Sequence, residues 1–273
     1  MPGSMTKWGT VGVTLVALAA VPSCGPAAGA ENDETAAVTT TPPPDPQLLI
    51  TFDDQEQGSA AGRDIIGEGS AAAEISLLSR NKQKATFVAG HQGGIALRTP
   101  PYSGESSGSF SALRIEPEEW LSPGLSDFTF GADVRLDAKS NGTAIDNGDN
   151  VMQRGLYADA AQYKIQVDKH HASCVIRGTD GAVVVKSKAL LTSSKWYRLT
   201  CHRSDKTVKL TVQNLETNQP PETLEKTGPI GTLDMIGSEP LSVGAKIGED
   251  GEIIGSSTDQ FNGLLDNISY ERS

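Results

Sequence analysis

A chain of 273 residues with 34 acidic against 23 basic side chains carries a net charge of −11, which repels nucleic acid and anionic lipid and excludes both as natural partners. Aromatic residues make up 5% of the chain, too few for an extended stacking platform. Three cysteines are too few for a disulfide-knit miniature fold.

The chain opens with an export signal. A single basic residue, Lys7, precedes an apolar run from Val11 to Val21, a hydrophobic stretch of secretory length that is too short to span a bilayer. Residues 1–30 therefore read as a signal peptide, with two competing cleavage points. One is after Ala30, in the small-residue triplet Ala28-Gly29-Ala30. The other is before Cys24, where "VPSC" resembles a lipobox and Cys24 would carry lipid. The first yields a soluble secreted protein. The second yields a cell-surface lipoprotein that meets the membrane only through its anchor, and the cysteine directly after the apolar run favours it. Residues 31–46, "ENDETAAVTTTPPPDP", are acidic, lack apolar periodicity and end in a proline cluster, so they read as a disordered tether stiffening toward polyproline II.

From residue 47 to 273 the pattern is period two. "LLITF" opens it, and "SAAAEISLLSRN" reads as a short helix after a Ser70 cap. "GIALRT" follows as a strand. "EPEEW" (Glu116, Glu118, Glu119) is interrupted by Pro117 and reads as a solvated turn. In "DFTFGADVRLD", Phe128, Phe130, Ala132, Val134 and Leu136 share one face while Thr129, Asp133 and Arg135 take the other. "DNGDN" (146–150) breaks the calcium-loop spacing of an EF-hand and reads as a flexible loop. "NVMQRG", "QYKIQVD", "GAVVVKS", "KWYRLTCHR", "KTVKLTVQ", "PLSVGA" and "GLLDNISYER" complete the set of strand candidates. Turn residues separate most of them, the signature of an antiparallel sandwich rather than of βαβ units.

Cys174 falls in phase with Ile176, and Cys201 with Tyr197 and Leu199, so both point to the core side of their strands. In an oxidising compartment, with Cys24 lipidated or removed, these two form a disulfide; neither has the CxxC spacing of a zinc site. His170, His171 and His202 lie near them in sequence and read as polar residues in turns and on a strand.

In their order and spacing, "LLITFDD", "GIALRTP", "DFTFGADVRL", "NVMQRG", "QYKIQV", "SCVIRGTDG", "KWYRLTCHR" and "FNGLLDNISYER" resemble the laminin-G-like domains of the concanavalin A-like lectin/glucanase superfamily, in its bacterial secreted subgroup. The resemblance covers nearly all of residues 47–273. It implies an all-β, two-sheet antiparallel jelly-roll sandwich with "KWYRLTCHR" near the middle of a sheet and the terminal strands paired. "VQNLETNQ" departs from the Val-Asp-Gly turn of many relatives. Where such domains bind calcium, acidic side chains and backbone carbonyls hold it; the matching positions are Asp53 and Asp266, with Asp54 as accessory. The competing reading is that Asp53 and Asp266 accept hydrogen bonds from turn amides.

The paired carboxylates of a retaining glycosidase strand are absent from the sequence pattern, as is a Gly-x-Ser-x-Gly elbow. The outward residues of the middle strands, Asp133, Arg135, Gln153, Lys164, Gln166 and Arg198, are the candidates for hydrogen bonds to sugar hydroxyls, with Tyr157 or Trp120 stacking on a ring. Against this stands a plain solvated sheet face. The leading expectation is a noncatalytic extracellular recognition module for a glycan or glycosylated surface. A module binding another extracellular protein is the alternative, and a glycan-active hydrolase or lyase stands behind both.

Overall fold

The computed structural model describes residues 45–235 and 239–273, so the leader, Cys24 and all of the tether before Asp45 lie outside the described residues. Pro43–Ser273 forms one compact unit. Alternating residues build two antiparallel sheets. The first runs in the order β14 (Glu222–Thr227), β13 (Thr207–Asn214), β12 (Trp196–Ser204), β7 (Phe128–Leu136), β16 (Gly263–Arg272), β5 (Ile95–Arg98), β4 (Thr86–Ala89) and β2 (Gly58–Ser59). β1 (Leu48–Ile50) pairs with the second half of β16. The second sheet runs β11 (Gly181–Lys186), β10 (His171–Gly178), β9 (Gln162–Asp168), β8 (Asp149–Arg154), β15 (Leu241–Val243), β6 (Phe110–Ile115) and β3 (Ile75–Arg80). The fold is the two-sheet jelly-roll sandwich, with "KWYRLTCHR" central in β12 and the terminal strands joined.

The core between the sheets explains the period-two faces. Phe128 and Phe130 from β7, Tyr163 from β9 and Tyr270 from β16 meet with ring centroids 5.0–6.0 Å apart, all of them fully buried. Trp120 joins this cluster, 6.0 Å from Tyr270, and so is not placed to stack on a ligand. Cys174 and Cys201 form the disulfide, Cα to Cα 5.8 Å, and tie β10 of one sheet to β12 of the other through the core.

Two expectations about local structure are overturned. The stretch read as a helix contains β3, whose six residues pair with β6 from Ile75↔Ile115 to Arg80↔Phe110. Ser70 caps nothing; its N–H and hydroxyl donate to the Pro46 carbonyl. A complete strand partner outweighs the weak helical propensity of three alanines. "DNGDN", read as a flexible loop, is strand in part: β8 starts within it at Asp149, and Asp146, Asp149 and Asn150 are fully buried.

Candidate functional site

The six polar candidates divide between the two sheets. On the first, register places Arg198 of β12, Asp133 of β7 and Asp266 of β16 in one row. Arg198 grips Asp133 with Nε and Nη2 at 2.7 and 2.8 Å, and Asn267 Nδ2 adds a third bond at 3.0 Å. Arg135 is turned to the Ser194 carbonyl at 3.1 Å. Asp133 and Arg198 thus satisfy each other, an arrangement that stiffens β7 against β12 and leaves little free capacity for a ligand.

Asp53 Oδ1 accepts from the Ile95 amide at 2.7 Å and Asp266 Oδ1 from the Asn267 amide at 2.7 Å, as the turn reading expects. Burial pushes the Asp266 carboxyl up to about 7, with Asp133 and Asp53 adding to the rise. Three carboxylates here face one guanidinium, a surplus that a cation would relieve. Among the described residues Asp53 and Asp266 each commit only Oδ1 to a backbone amide, so these two are the residues that would hold calcium. Asp54 accepts from the neighbouring Gln55.

On the second sheet, Ser242, Gln153, Lys164, Val175 and Val184 form a continuous row across β15, β8, β9, β10 and β11. Gln162, Arg177 and Ala182 make the adjacent row on one side, and Asn150, Gln166 and Ser173 the one on the other. On β8 and β9 this outer face is covered, for Gln153 is 3%, Gln162 5% and Lys164 7% exposed, whereas Val184 at the β11 edge is 46% exposed. The Leu156–Ala158 turn and the segment bearing Lys246, Ile254 and Ser257 wall it into a groove of about 640 Å³. Gln153 and Gln162 both donate Nε2 to the Gly155 carbonyl, at 2.7 and 3.0 Å, while the buried Gln153 Oε1 has no partner. At the rim Tyr157 is 83% exposed and Arg177 lies 4.7 Å from its ring centroid.

Beneath the groove Asp259 holds two lysines on one oxygen. Its Oδ2 is 2.7 Å from Lys246 Nζ and 3.7 Å from Lys164 Nζ. Burial pushes Lys164 down to about 8 despite this partner. Asp146 and Asp149 lie in the same polar layer, and desolvation raises their carboxyls to about 8 and about 7. Ser140, Asn141 and the Asn262 amide donate to Asp149. The Gln260 amide lies near enough to favour ionised Asp146, yet neither Asp146 oxygen makes a well-aligned hydrogen bond.

Gln153, Lys164 and Gln166 are therefore brought together, and Asp133, Arg135 and Arg198 form a separate set on the other sheet. Sequence reasoning missed Gln162, Arg177 and Lys246. Arg177 was within reach, since Cys174 and Ile176 facing inward put Val175 and Arg177 outward. Lys246 lies outside any strand, and no period points to it. Among the described residues the one set of three acids with ligand atoms within 4.8 Å is Asp159, Glu239 and Glu249, away from Asp53 and Asp266.

No protein-family model and no curated protein matches the chain. Solved structures do match. The binding domain of Paraclostridial mosquitocidal protein 1 superposes with a TM-score of 0.55 at 11% identity, over 84% of this chain and 49% of that one. Domain 4 of AbnA, a GH43 extracellular arabinanase from Geobacillus stearothermophilus in complex with arabinotriose, gives 0.51 at 10% identity, over 84% and 93%. The enzymatically active domain of tailspike protein 2 from bacteriophage CBA120 gives 0.51 at 11%, over 78% and 30%. The chain spans about half the length of the first of these. At such identities the shared property is the fold alone, a two-sheet antiparallel jelly-roll sandwich.

Proposed function

We propose that the protein is a noncatalytic extracellular recognition module whose groove on the second sheet binds carbohydrate. The observation that carries this reading is the lining itself. Gln153, Gln162 and Gln166 present amides beside Lys164 and Lys246, and the exposed ring of Tyr157 stands at the rim. Planar donors and acceptors with one apolar face suit a sugar's hydroxyls and C–H surface. Among the described residues no Asp or Glu lines this groove, so the paired carboxyls of glycoside hydrolysis have no counterpart there. The AbnA domain with arabinotriose supports the reading, because a sandwich of this fold accompanies an oligosaccharide there.

Each sugar contact replaces one with water and gains about 0.5–1.5 kcal/mol, so affinities fall in roughly the micromolar to millimolar range. A glycan array followed by calorimetry tests the site: Gln153→Ala weakens the best ligand about fivefold or more. Sugar binding lost on Arg135→Ala and retained on Gln153→Ala would move the site to the first sheet. Release of reducing ends or unsaturated sugar that stops when a groove residue is changed would make the protein an enzyme.

Export, lipid attachment at Cys24 and calcium at Asp53 and Asp266 belong to the same proposal. A fatty-acid analogue labels the wild-type chain and not Cys24→Ala. A chelator lowers the melting temperature of the wild type and leaves that of Asp266→Asn unmoved, with calcium stiffening the scaffold away from the groove. The glycan is carried by a surface or by another extracellular protein.

A further inference from the structure

The groove differs in charge from the rest of the molecule. Among the described residues its lining contains three cations, Lys164, Lys246 and Arg177, and no carboxylate, in a chain of net charge −11. Acids of the nearby 249–252 loop line a separate pocket.

Asp259 does not cancel these cations. One carboxylate serves two ammonium groups through a single oxygen, and its buried Oδ1 has no partner. The triplet therefore keeps one positive charge, and Lys246 contributes to the lowered pKa of Lys164. The two other acids behind the groove compensate poorly. Burial raises their carboxyls, to about 8 for Asp146 and about 7 for Asp149, which disfavours the charged forms that would offset the lysines. Lys246 is further positioned by a 2.8 Å bond to Ser257 Oγ. Two ammoniums that share one carboxylate oxygen, in a groove also lined by Gln153 with its unpartnered Oε1, suit one anionic group and one hydroxyl.

We propose that the groove takes an acidic saccharide, with a carboxylate or sulfate group of the sugar seated between Lys164 and Lys246. The inference rests on the carbohydrate reading above. Arg177, held over Tyr157, offers a second positive charge at the rim, so a chain with spaced charges suits the site better than one with a single charged residue.

The test is an array of matched oligosaccharides, comprising galacturonate, glucuronate, mannuronate and sulfated galactose chains beside their neutral counterparts, followed by calorimetry on the tightest acidic and neutral pair. An acidic chain is expected to bind about tenfold tighter than its neutral partner, with the preference shrinking at high salt. The carboxylate and sulfate arms identify which anion is read. Lys246→Gln should collapse the acidic-to-neutral ratio. Asp259→Asn, which keeps both ammoniums and removes the acid between them, should raise the ratio and so guards against misreading a poorly folded lysine variant. Binding of neutral chains as tightly as acidic ones overturns this inference and leaves the carbohydrate reading intact. No binding to any sugar overturns both.

Discussion

Asp146 shows how a single buried side chain sets a property of the whole protein. It is fully buried with both oxygens unpartnered, and its carboxyl is raised to about 8. A carboxyl whose folded pKa lies above its unfolded value of 3.8 keeps a proton that the unfolded chain has released. Its contribution is harmless below about pH 4 and turns into a loss of stability as pH rises toward about 8. Asp146→Asn should therefore match the wild type in acid and exceed it by about 1–3 kcal/mol near pH 8. Urea midpoints measured across pH check this; parallel curves for the two proteins would refute it. Arg154 is the opposite case, a buried cation whose Nε, Nη1 and Nη2 donate to the carbonyls of Glu239, Glu118 and Met235 at 3.2, 3.4 and 2.8 Å. Arg154→Ala strands these acceptors and should cost about 3–5 kcal/mol in the same measurement, whereas Arg177→Ala at the half-buried rim should cost under about 1 kcal/mol.

Among the elements, the staple between β10 and β12 is the clearest single stabiliser. It closes a loop with a sequence separation of 27, for which loop-closure entropy gives about 3–4 kcal/mol. Cys174→Ser with Cys201→Ser should lower the unfolding free energy from denaturant titration by that amount without altering the acid-to-neutral binding preference, since neither sulfur lines the groove. This pair was legible because one face of each strand is apolar, and alternation then fixes where a cysteine points. The same reasoning exposed β7, β9, β12 and β13. It also found β8 as "NVMQRG" but not its burial: every residue of this strand is buried, so Gln153, read as outward, lies beneath other segments. β14, "ETLEKT", was missed for the converse reason, being an edge strand exposed almost throughout. β3 was taken for a helix because its partner β6 lies more than 30 residues downstream, beyond the reach of any local pattern. Half of the groove was legible for the same reason that the strands were. Lys246 and the buried role of Asp259 were not, because their positions depend on a loop folding over a sheet.

For the whole molecule, acidity and a cationic groove are compatible because they act over different ranges. Net charge of −11 repels a dense polyanion from a distance, while Lys164 and Lys246 act on a group within a few ångströms, inside the Debye length of about 8–10 Å. The combination favours a lightly charged saccharide over nucleic acid. The architecture also fixes where the folded unit starts. β1 closes the sandwich through Leu48↔Tyr270, Leu49↔Ser269 and Ile50↔Ile268, and Leu48 and Ile50 are fully buried. It occupies the edge of β16 left free beyond β5, past the bulge at Asn267, so the two ends of the domain complete one sheet. A chain beginning at Asp45 retains every one of these contacts, and its melting temperature should match that of a chain carrying the tether. Removal through Ile50 should act quite differently. Losing two buried aliphatic side chains costs about 3–6 kcal/mol by area burial, and the freed β16 edge invites association. For a domain of this size the melting temperature should then fall by about 10 °C or more. Calorimetry of the two truncated proteins beside the tethered one decides it, and equal stability of all three would show that β1 contributes nothing to closing the sandwich.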